Sequence, residues 1–352
     1  MGGQLQTDAH ERVSASWAQI VRHGVVEFSA ATVRRFWKAR EVSAVRIRPS
    51  LAHARLVAVI VAQNEAPRFP YLIDYYRRAG VEHFIVIDNE STDGLQDYLM
   101  DHEDVTVYAA HGAYGSARYG NDWINHVAGR HCHGKWVLYV DADEMLVVAG
   151  PSRNLPEVCD ALERQGRRSL HTLLLDVYSD RPASGNIVEP GADPLDTCSL
   201  YDTAGYQGFF DPVSLTTWIK GGPRARLFFD DIHDGPALNK TPLVRWKRWY
   251  ALAQSSHRLV PRALNRQSEH LEGALLHFKF TSINASKFTD PGNVARHTAE
   301  YSAYSEIDSV DFVGPATSTY ESVDDLVSNG LVAPLDPSLE SEKTRPLPNR
   351  DT

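Results

Sequence analysis

The sequence predicts an α/β protein in which helices flank a mostly parallel central sheet. Three observations support this fold class. Short apolar runs rich in β-branched residues alternate with segments of helical period between residues 56 and 140. Such continuous runs are typical of strands buried on both faces, and their alternation with helices is typical of stacked β-α-β units. Polar residues follow three of the runs at the point where each strand is expected to end.

Four strands are predicted in this first half, and they cover Leu56–Ala62, His83–Asp88, Val105–Ala110 and residues 136–140. Three helices are predicted between them. The first opens at Pro70, which suits a first helical turn, and stops at Gly80. The second passes through Leu95 and Leu99, and the third covers residues 117–131.

The remaining chain is less regular, and its composition suggests four regions. Residues 1–54 are predicted to be a helical extension with a basic end, which packs on the body or touches anionic lipid or a partner. Residues 55–150 and 151–334 are expected to form two halves of one domain, and residues 335–352 a disordered tail. Within the second half the sequence predicts a helix at residues 155–165 and a long irregular loop at residues 179–206. Three strands are predicted there, at residues 170–178, 227–229 and 273–280.

The composition argues against several classes of protein. The chain has 352 residues, 43% of them hydrophobic, and a formal net charge of −9, which gives no electrostatic case for binding nucleic acid. Three scattered cysteines without a CxxC pair favour a reducing compartment. No apolar run approaches the roughly 20 residues of a membrane span, and no signal peptide is recognisable. We therefore expect a cytoplasmic location.

The polar strand ends are the candidate site. Asn64 and Glu65 follow the first strand, Asp88 and Asn89 end the second, and the motif Asp141-Ala-Asp-Glu144 follows the fourth. Ligands of parallel sheets sit beyond the carboxyl ends of the strands. If the fourth strand continues, Asp141 and Asp143 share a face, and a hard cation such as Mg²⁺ or Mn²⁺ would relieve their repulsion. The alternative is a solvated acidic turn.

Two familiar nucleotide-binding motifs are missing from the sequence. The turn after the first strand, QNEAPRFP, contains no glycine, so it is not a dinucleotide-binding GxGxxG turn. The chain also has no GxxxxGK[ST] loop. A different kind of nucleotide site is therefore required if the strand ends bind a nucleotide.

Six short motifs, in this order and spacing, resemble those of family-2-type glycosyltransferases with the GT-A fold, in particular a bacterial subgroup with NE and DADE motifs. They are VIVAQNE (59–65), VIDNESTDG (86–94), VDADE (140–144), GGPRARLF (221–228), KTPLVR (240–245) and LLHFKF (275–280). The resemblance covers roughly residues 55–330. It implies a nucleotide-sugar donor, which we expect to be a UDP-sugar, and a divalent metal. It also implies inverting transfer to a hydroxyl of a glycan or other acceptor.

The resemblance also implies roles for individual residues. It assigns residues 55–150 to nucleotide-sugar binding and residues 151–334 to acceptor binding and completion of the metal shell. The metal would be bound by Asp141, Asp143 and His277. The nucleotide sugar would be bound by Asn64, Glu65, Asp88, Asn89, Asp141, Arg224, Arg226 and Lys240, the last three of them neutralising the diphosphate. Without the family, His277 would be interpreted as a buried core histidine.

The general base is left open by the sequence. Asp231 is the first choice and Glu272 the second, with Asp230, Glu269 and His257 as further candidates. Two other functions also remain open. A sugar-nucleotide nucleotidyltransferase would share the fold and the metal carboxylates, but such enzymes usually carry a glycine-rich basic loop where this chain has QNEAPRFP. A GT-A protein without catalytic activity would keep only the binding site.

Overall fold

A computed structural model of the protein describes residues 6–7, 15–150, 152–253, 255–289 and 304–336. The strands are β1 (Gln6–Thr7), β2 (Val42–Arg46), β3 (Leu56–Ala62), β4 (His83–Asp88), β5 (Val105–Ala110), β6 (Trp136–Tyr139), β7 (Glu144–Val148), β8 (Ser169–Asp176), β9 (Leu200–Asp202), β10 (Tyr206–Asp211), β11 (Thr216–Gly221), β12 (Asn239–Arg245), β13 (Ala251–Leu252), β14 (Leu259–Val260), β15 (Gly273–His277) and β16 (Thr317–Thr319). The helices are α1 (Trp17–Lys38), α2 (Phe69–Arg78), α3 (Leu95–Met100), α4 (Asn121–His131), α5 (Leu155–Arg164), α6 (Gly222–Phe228), α7 (Ser282–Thr289) and α8 (Val323–Ser328). In the part of the chain so described, no helix is long and apolar enough to cross a membrane.

Nine strands form the central sheet in the order β2-β5-β4-β3-β6-β12-β8-β15-β7. The pairings give β3, β4, β5, β6, β8 and β15 one direction and β2, β7 and β12 the other. The predicted α/β class with a mostly parallel sheet flanked by helices is therefore confirmed. Smaller sheets join β1 to β10 and β11, β13 to β14, and β9 to β16.

The core lies on both faces of this sheet. All seven residues of β3 are buried. Because successive strand side chains point to opposite faces, Ala58 and Ile60 pack with α2, α3 and α5, whereas Val57 and Val59 pack with α4. The continuous apolar run of β3 follows directly from this double burial.

Four secondary-structure predictions need correction. Residues 42–46, predicted to belong to the helical extension, form the edge strand β2, whose side chains are mostly exposed and so leave no apolar pattern. Residues 227–229 end helix α6 instead of forming a strand, because Gly221 has a positive φ and a proline in the first turn favours helix. Helix α4 starts at Asn121, four residues later than predicted. The fourth strand ends at Tyr139, so Asp141 and Asp143 lie in a turn and strand alternation does not orient them.

The long loop predicted at residues 179–206 is largely irregular, with two short 3-10 turns and the strand β9. Within the helical extension predicted at residues 1–54, the structure has the 22-residue helix α1. Of the disordered tail predicted at 335–352, residues 337–352 lie outside the described residues, as do residues 290–303.

Candidate functional site

Polar residues from six strands meet at one edge of the central sheet. The carboxyl ends of β3, β4, β6, β8 and β15 lie at this edge because these strands share a direction, and the amino end of the antiparallel β12 joins them. The pairing registers place His277 beside Asp176 on one side and Glu144 on the other. The convergence expected from the sequence is therefore present, and it includes residues from the second half of the chain.

The acidic motif forms a turn closed by its own side chains. The Glu144 amide donates to the Asp141 carbonyl at 3.1 Å, and the Asp141 amide donates to Glu144 Oε2 at 3.1 Å. Lys240 Nζ donates to Asp141 Oδ2 at 2.9 Å and also to Glu144 Oε1. Burial alone would lower the pKa of Lys240, but these two carboxylates outweigh burial and raise its pKa. Lys240 is thus a fixed cation beneath the acidic turn, whereas half of the Asp141 side chain stays exposed.

Asp143 is surrounded by donors and cations. Its Oδ2 accepts a hydrogen bond from Asn284 Nδ2 at 3.0 Å and lies 3.7 Å from Arg68 Nη1 and 3.8 Å from His277 Nε2. Burial opposes its ionisation, yet the electrostatic effect of the neighbouring His277 and Arg68 side chains outweighs burial and holds the pKa of Asp143 well below its usual range. The carboxylate is therefore ionised at neutral pH.

Asp176 fixes the orientation of the His277 ring. Asp176 Oδ1 lies 2.7 Å from His277 Nδ1, and Asp176 Oδ2 accepts from Arg224 Nε at 2.7 Å. Burial would raise the pKa of Asp176, but Arg224 and His277 outweigh burial and lower its pKa. Because an ionised carboxylate only accepts hydrogen bonds, the ring must carry a hydrogen on Nδ1. In the neutral ring the Nε2 lone pair then points toward Asp143.

These two facing acceptors fit a divalent ion that a substrate completes. Two ligand atoms that each lie about 2.1 Å from one metal ion are about 3 to 4 Å apart. Asp143 Oδ2 and His277 Nε2 lie 3.8 Å apart, which fits this range. The carboxylate behind His277 is the usual support for a metal-binding histidine. No group of three or more His, Cys, Asp or Glu residues suited to a metal occurs in the described parts of the chain, so substrate oxygens and water would supply the other ligands.

The loops that follow β3 and β4 are joined to each other by hydrogen bonds. The Asn64 amide donates to Ser91 Oγ at 2.9 Å, and Asn64 Oδ1 accepts from the Thr92 amide at 2.7 Å. Asp88 Oδ1 accepts from the Ser91 amide at 3.2 Å. The Asn89 side chain donates to the carbonyls of Ala110 and Gly112. Asn64, Asp88 and Asn89 thus lie at the expected edge of the sheet. The amide groups of Asn64 and Asn89 form hydrogen bonds that hold the neighbouring loops in place.

A cleft opens between this edge and α2. Its lining includes Arg68, Tyr71, Asp143, Phe278 and Thr281, together with residues from the loop at 188–194. Glu65 accepts from Arg68 Nη1 at 2.8 Å, and Arg68 Nη2 donates to Thr281 Oγ1 at 2.7 Å. Glu65 therefore acts on the cleft through Arg68.

Three predicted cationic residues serve carboxylates of the protein itself. Arg224 is buried against Asp176, and Lys240 is buried beneath the acidic turn. Arg226 donates to Asp202 Oδ2 at 2.9 Å and to the Phe312 carbonyl, away from Asp143. Their predicted role as direct diphosphate ligands stays a prediction, and the contacts seen here favour an indirect role for Arg224 and Lys240.

The five base candidates differ in burial and in hydrogen-bond partners. Glu272 is buried, with Oε2 2.6 Å from Arg167 Nη2, and it precedes β15, so that it lies about 16 Å along the strand from His277. Asp231 is exposed, and its Oδ1 accepts from the His233 amide at 2.8 Å. Asp230 and Glu269 are exposed as well. Burial lowers the pKa of His257 to about 4, and its Nδ1 lies 2.6 Å from the Asn239 carbonyl.

Sequence reasoning missed three residues of the cluster: Arg68, Asp176 and Asn284. Asp176 had a usable signal, since it is an acid within the apolar run LHTLLLDVY, just as His277 is a polar residue within LLHFKF. Arg68 stands three residues after Glu65, a spacing that allows an ion pair across one helical turn. Asn284 lies in α7 and has no distinguishing pattern.

The substitution His277→Asn tests whether this histidine binds a metal. The Asn amide can occupy the position of the ring Nδ1 and keep a donor toward Asp176, but it removes Nε2. We expect the Mn²⁺-dependent part of UDP binding to be lost, with a fall of about 1–3 kcal/mol in the free energy of unfolding. Calorimetric titration of UDP with and without Mn²⁺, beside urea unfolding, measures both. His277→Gln, which places its amide nearer to Nε2, is the matched control. Unchanged Mn²⁺ dependence in both variants would leave His277 a purely structural residue.

No protein-family model matches the chain, and no curated protein sequence matches it. Among solved structures, it is similar to a mannosyltransferase from Pyrobaculum calidifontis in complex with GDP-Man and Mn²⁺, at 20% identity and TM-score 0.24 over 47% of each chain. It is also similar to glucosyl-3-phosphoglycerate synthase from Mycobacterium tuberculosis with Mn²⁺ and UDP, at 17% identity and TM-score 0.24 over 50% of this chain and 52% of that one.

A third similar structure is a 4-diphosphocytidyl-2C-methyl-D-erythritol synthase, at 15% identity and TM-score 0.24, with 39% of this chain and 69% of that chain covered. The chain thus spans about half the length of the two transferases. Similarity at this level carries no conclusion about residues, substrates or reaction.

Proposed function

We propose that this protein is a divalent-metal-dependent glycosyltransferase of the GT-A type that moves a sugar from a nucleotide-sugar donor to a hydroxyl acceptor. The observation that carries the proposal is the pair Asp143 Oδ2 and His277 Nε2, two acceptors 3.8 Å apart at the carboxyl edge of the sheet. A divalent cation between them would bind the carboxylate oxygen and the ring nitrogen together. Asp143 lines the cleft beside them, from which further ligands of the ion would approach.

The residues at this edge divide the work in our proposal. Asp143 and His277 hold the Mn²⁺ or Mg²⁺ ion, and Asp141 reaches the ion or the ribose through its exposed half. When bound, the ion would stabilise the negative charge that develops on the departing nucleoside diphosphate. Arg68, which lies at the cleft, adds positive charge for the same phosphate groups.

The nucleotide would lie along the hydrogen-bonded loops that follow β3 and β4. Asp88 is buried at the end of β4 and belongs to the same group of loops as Asn64, Glu65 and Asn89. A carboxylate there can accept hydrogen bonds from a base or a ribose hydroxyl. Lys240 and Arg224 contribute indirectly, because each neutralises a buried carboxylate that shapes the site.

The acceptor side of the proposal is an inverting transfer to a glycan or similar hydroxyl acceptor in surface-polysaccharide synthesis. An inverting reaction needs one carboxylate to take the acceptor proton. The pairing of Glu272 with Arg167 and its distance along β15 argue for Asp231, whose carboxylate is exposed. The cytoplasmic location remains a prediction.

The test is a thermal-shift and turnover screen of UDP- and GDP-sugars in Mn²⁺, in Mg²⁺ and in EDTA. We expect at least one nucleotide sugar to raise the melting temperature, because a ligand that binds only the folded state stabilises it. The shift should largely vanish in EDTA. Release of a nucleoside diphosphate on adding hydroxyl acceptors identifies transfer. Release of pyrophosphate from a nucleoside triphosphate and a sugar phosphate would instead identify a nucleotidyltransferase. Equal nucleotide affinity in EDTA and in Mn²⁺ would contradict the metal site.

A further inference from the structure

Helix α1 presents its apolar side to solvent. Of its 22 residues only Ala31 is buried, whereas Trp17, Val25 and Phe36 are 79%, 60% and 69% exposed. The other exposed large apolar side chains of the helix are Val21, Val26, Phe28, Val33 and Trp37. Residues spaced three or four apart share a helix face, so these side chains form a broad apolar stripe along the helix. We call this stripe the outer face of α1.

The polar side of α1 faces the body of the protein. Arg34 pairs with the buried Asp122 of α4, with Nη2 2.7 Å from Oδ2. Glu27 pairs with Arg258 at 2.9 Å, and Arg35 donates to the carbonyls of Arg248 and Tyr250. The usual amphipathic arrangement, with apolar residues toward the core, is therefore inverted. The contacts with the body leave the outer face available except at Phe28, whose ring packs edge-on against Trp249.

The charge of the outer face is positive. Arg22 is exposed and falls on the same side of the helix as Val25 and Phe36 at 100° per residue, and Arg40 is exposed in the 3-10 turn that follows the helix. Glu27 is the only acid in the α1 sequence, and it pairs on the body side. The Arg40 guanidinium lies 4.8 Å from the centre of the Trp37 ring. The outer face thus combines aliphatic and aromatic groups with arginines and no carboxylate.

We propose that the outer face of α1 docks on an anionic lipid surface, with the helix lying in the plane of the interface. Apolar and aromatic side chains would enter the boundary of headgroups and acyl chains, and Arg22 and Arg40 would contact anionic headgroups. Trp17 and Trp37, near the two ends of the helix, are suited to this boundary because tryptophan rings prefer the headgroup level.

Two observations favour lipid over a second copy of this chain. A second α1 would bring its own arginines to the contact without a partner carboxylate, whereas anionic headgroups supply the opposite charge. The ion pairs of Arg34 and Glu27 also hold the polar side of α1 against the body, so the helix can lie on a bilayer but not enter it. Since the whole chain has a formal net charge of −9, its overall charge would not attract it to anionic lipid, and the local face must do so.

The proposal is tested by cosedimentation of the full chain with vesicles of phosphatidylcholine alone and with vesicles of phosphatidylcholine and phosphatidylglycerol in equal parts. We expect binding to the mixed vesicles at least about tenfold tighter than to phosphatidylcholine alone, weakening as salt is added. Phe36→Glu and Val25→Glu should each weaken it about tenfold or more, since an apolar contact is replaced by a like charge. Arg22→Gln with Arg40→Gln should remove most of the preference for anionic lipid.

Val313→Glu is the matched control, because Val313 is also exposed and the charge change is the same. It should leave vesicle binding unchanged, and all variants should keep the melting temperature of the native chain. Failure of the native chain to bind mixed vesicles would overturn the proposal. If the native chain does not bind vesicles but forms concentration-dependent dimers, and Phe36→Glu dissociates these dimers, the outer face binds a second copy of the chain instead. Both readouts are independent of sugar transfer, so they stand whether or not the proposed reaction is correct.

Discussion

Replacing Asp143 with Asn is expected to lower the rate of sugar transfer by about a hundredfold or more. Asp143 Oδ2 is the carboxylate oxygen that faces His277 Nε2 and Arg68 at the cleft. The Asn side chain has nearly the same shape, but it lacks the negative charge that a divalent ion requires. The Mn²⁺-dependent part of UDP affinity should be lost in the same variant. Initial rates with the best donor from the screen, and calorimetric titration of UDP, measure the two effects.

The cost of Asp143→Asn in stability should be modest. The pKa of Asp143 is held low because His277 and Arg68 outweigh the effect of its burial, so the ionised group contributes stability above its unfolded pKa and loses it as pH falls through the folded pKa. Removing the charge should therefore cost about 1–3 kcal/mol at neutral pH. Arg68 and the amide donor of Asn284 thus outweigh the repulsion between Asp141 and Asp143 that the sequence suggested.

Asp160→Asn is the control for this experiment. Asp160 is an aspartate in α5 that is partly exposed and paired with Arg55, and it does not line the cleft. Its replacement should leave the transfer rate and the Mn²⁺ dependence unchanged. Turnover of Asp143→Asn near that of the native chain would show that the site lies elsewhere.

Replacing Asp176 with Ala should lower the free energy of unfolding by about 3–5 kcal/mol, the largest stability effect we expect from one substitution at the site. Asp176 is buried between Arg224 Nε and His277 Nδ1, each 2.7 Å away. The substitution leaves the Arg224 charge buried without its carboxylate, and it frees the His277 ring. Urea unfolding monitored by circular dichroism measures the loss.

The pH dependence of this loss has a defined sign. Burial would raise the pKa of Asp176, but Arg224 and His277 outweigh burial and lower it. A carboxylate with a lowered pKa stabilises the fold above its unfolded pKa, about 3.9, and loses that contribution as pH falls through the folded pKa. The difference in stability between the native chain and Asp176→Ala should thus be constant above about pH 5 and shrink in acid.

Two further variants serve as controls for Asp176→Ala. The double change Asp176→Leu with Arg224→Met should recover much of the stability, because removing both charges leaves no uncompensated ion. Asp202→Ala should cost less, because its partner Arg226 has a third of its side chain exposed and water can solvate the charge left behind. Equal losses for Asp176→Ala and Asp202→Ala would contradict the role of burial in this ion pair.

Much of the fold and part of the site could be predicted from single segments of the chain. Leu56–Ala62, His83–Asp88 and Val105–Ala110 were predicted with the bounds that the structure has. Apolar runs of six or seven residues bounded by turns can hardly be anything but strands buried on both faces. In a parallel sheet such strands bring their carboxyl ends together, so the polar groups at Asp88 and after Tyr139 were bound to lie at one edge.

Partners distant in sequence could not be predicted in the same way. Lys240 and Asp141 are 99 positions apart in the sequence, and Arg224 and Asp176 are 48 positions apart. A local pattern shows that a cation is present, but not which carboxylate will neutralise it. The contacts of Lys240 and Arg224 within the protein were therefore beyond what a local pattern could predict. The position of β12 between β6 and β8 brings Lys240 to Asp141, and the order of strands in the sheet depends on the whole chain.

By itself, the sequence determined that the motif Asp141–Glu144 follows a buried strand of an α/β sheet and that a helical extension precedes this sheet. Helical period specifies which residues share a side, but not which side meets the body. Tertiary structure decided that question, because Arg34 reaches Asp122 and Glu27 reaches Arg258. Those ion pairs hold the polar side inward and leave the apolar side outward. The same kind of distant contact, Asp176 with His277, aims a histidine at Asp143 and makes the edge of the sheet a site.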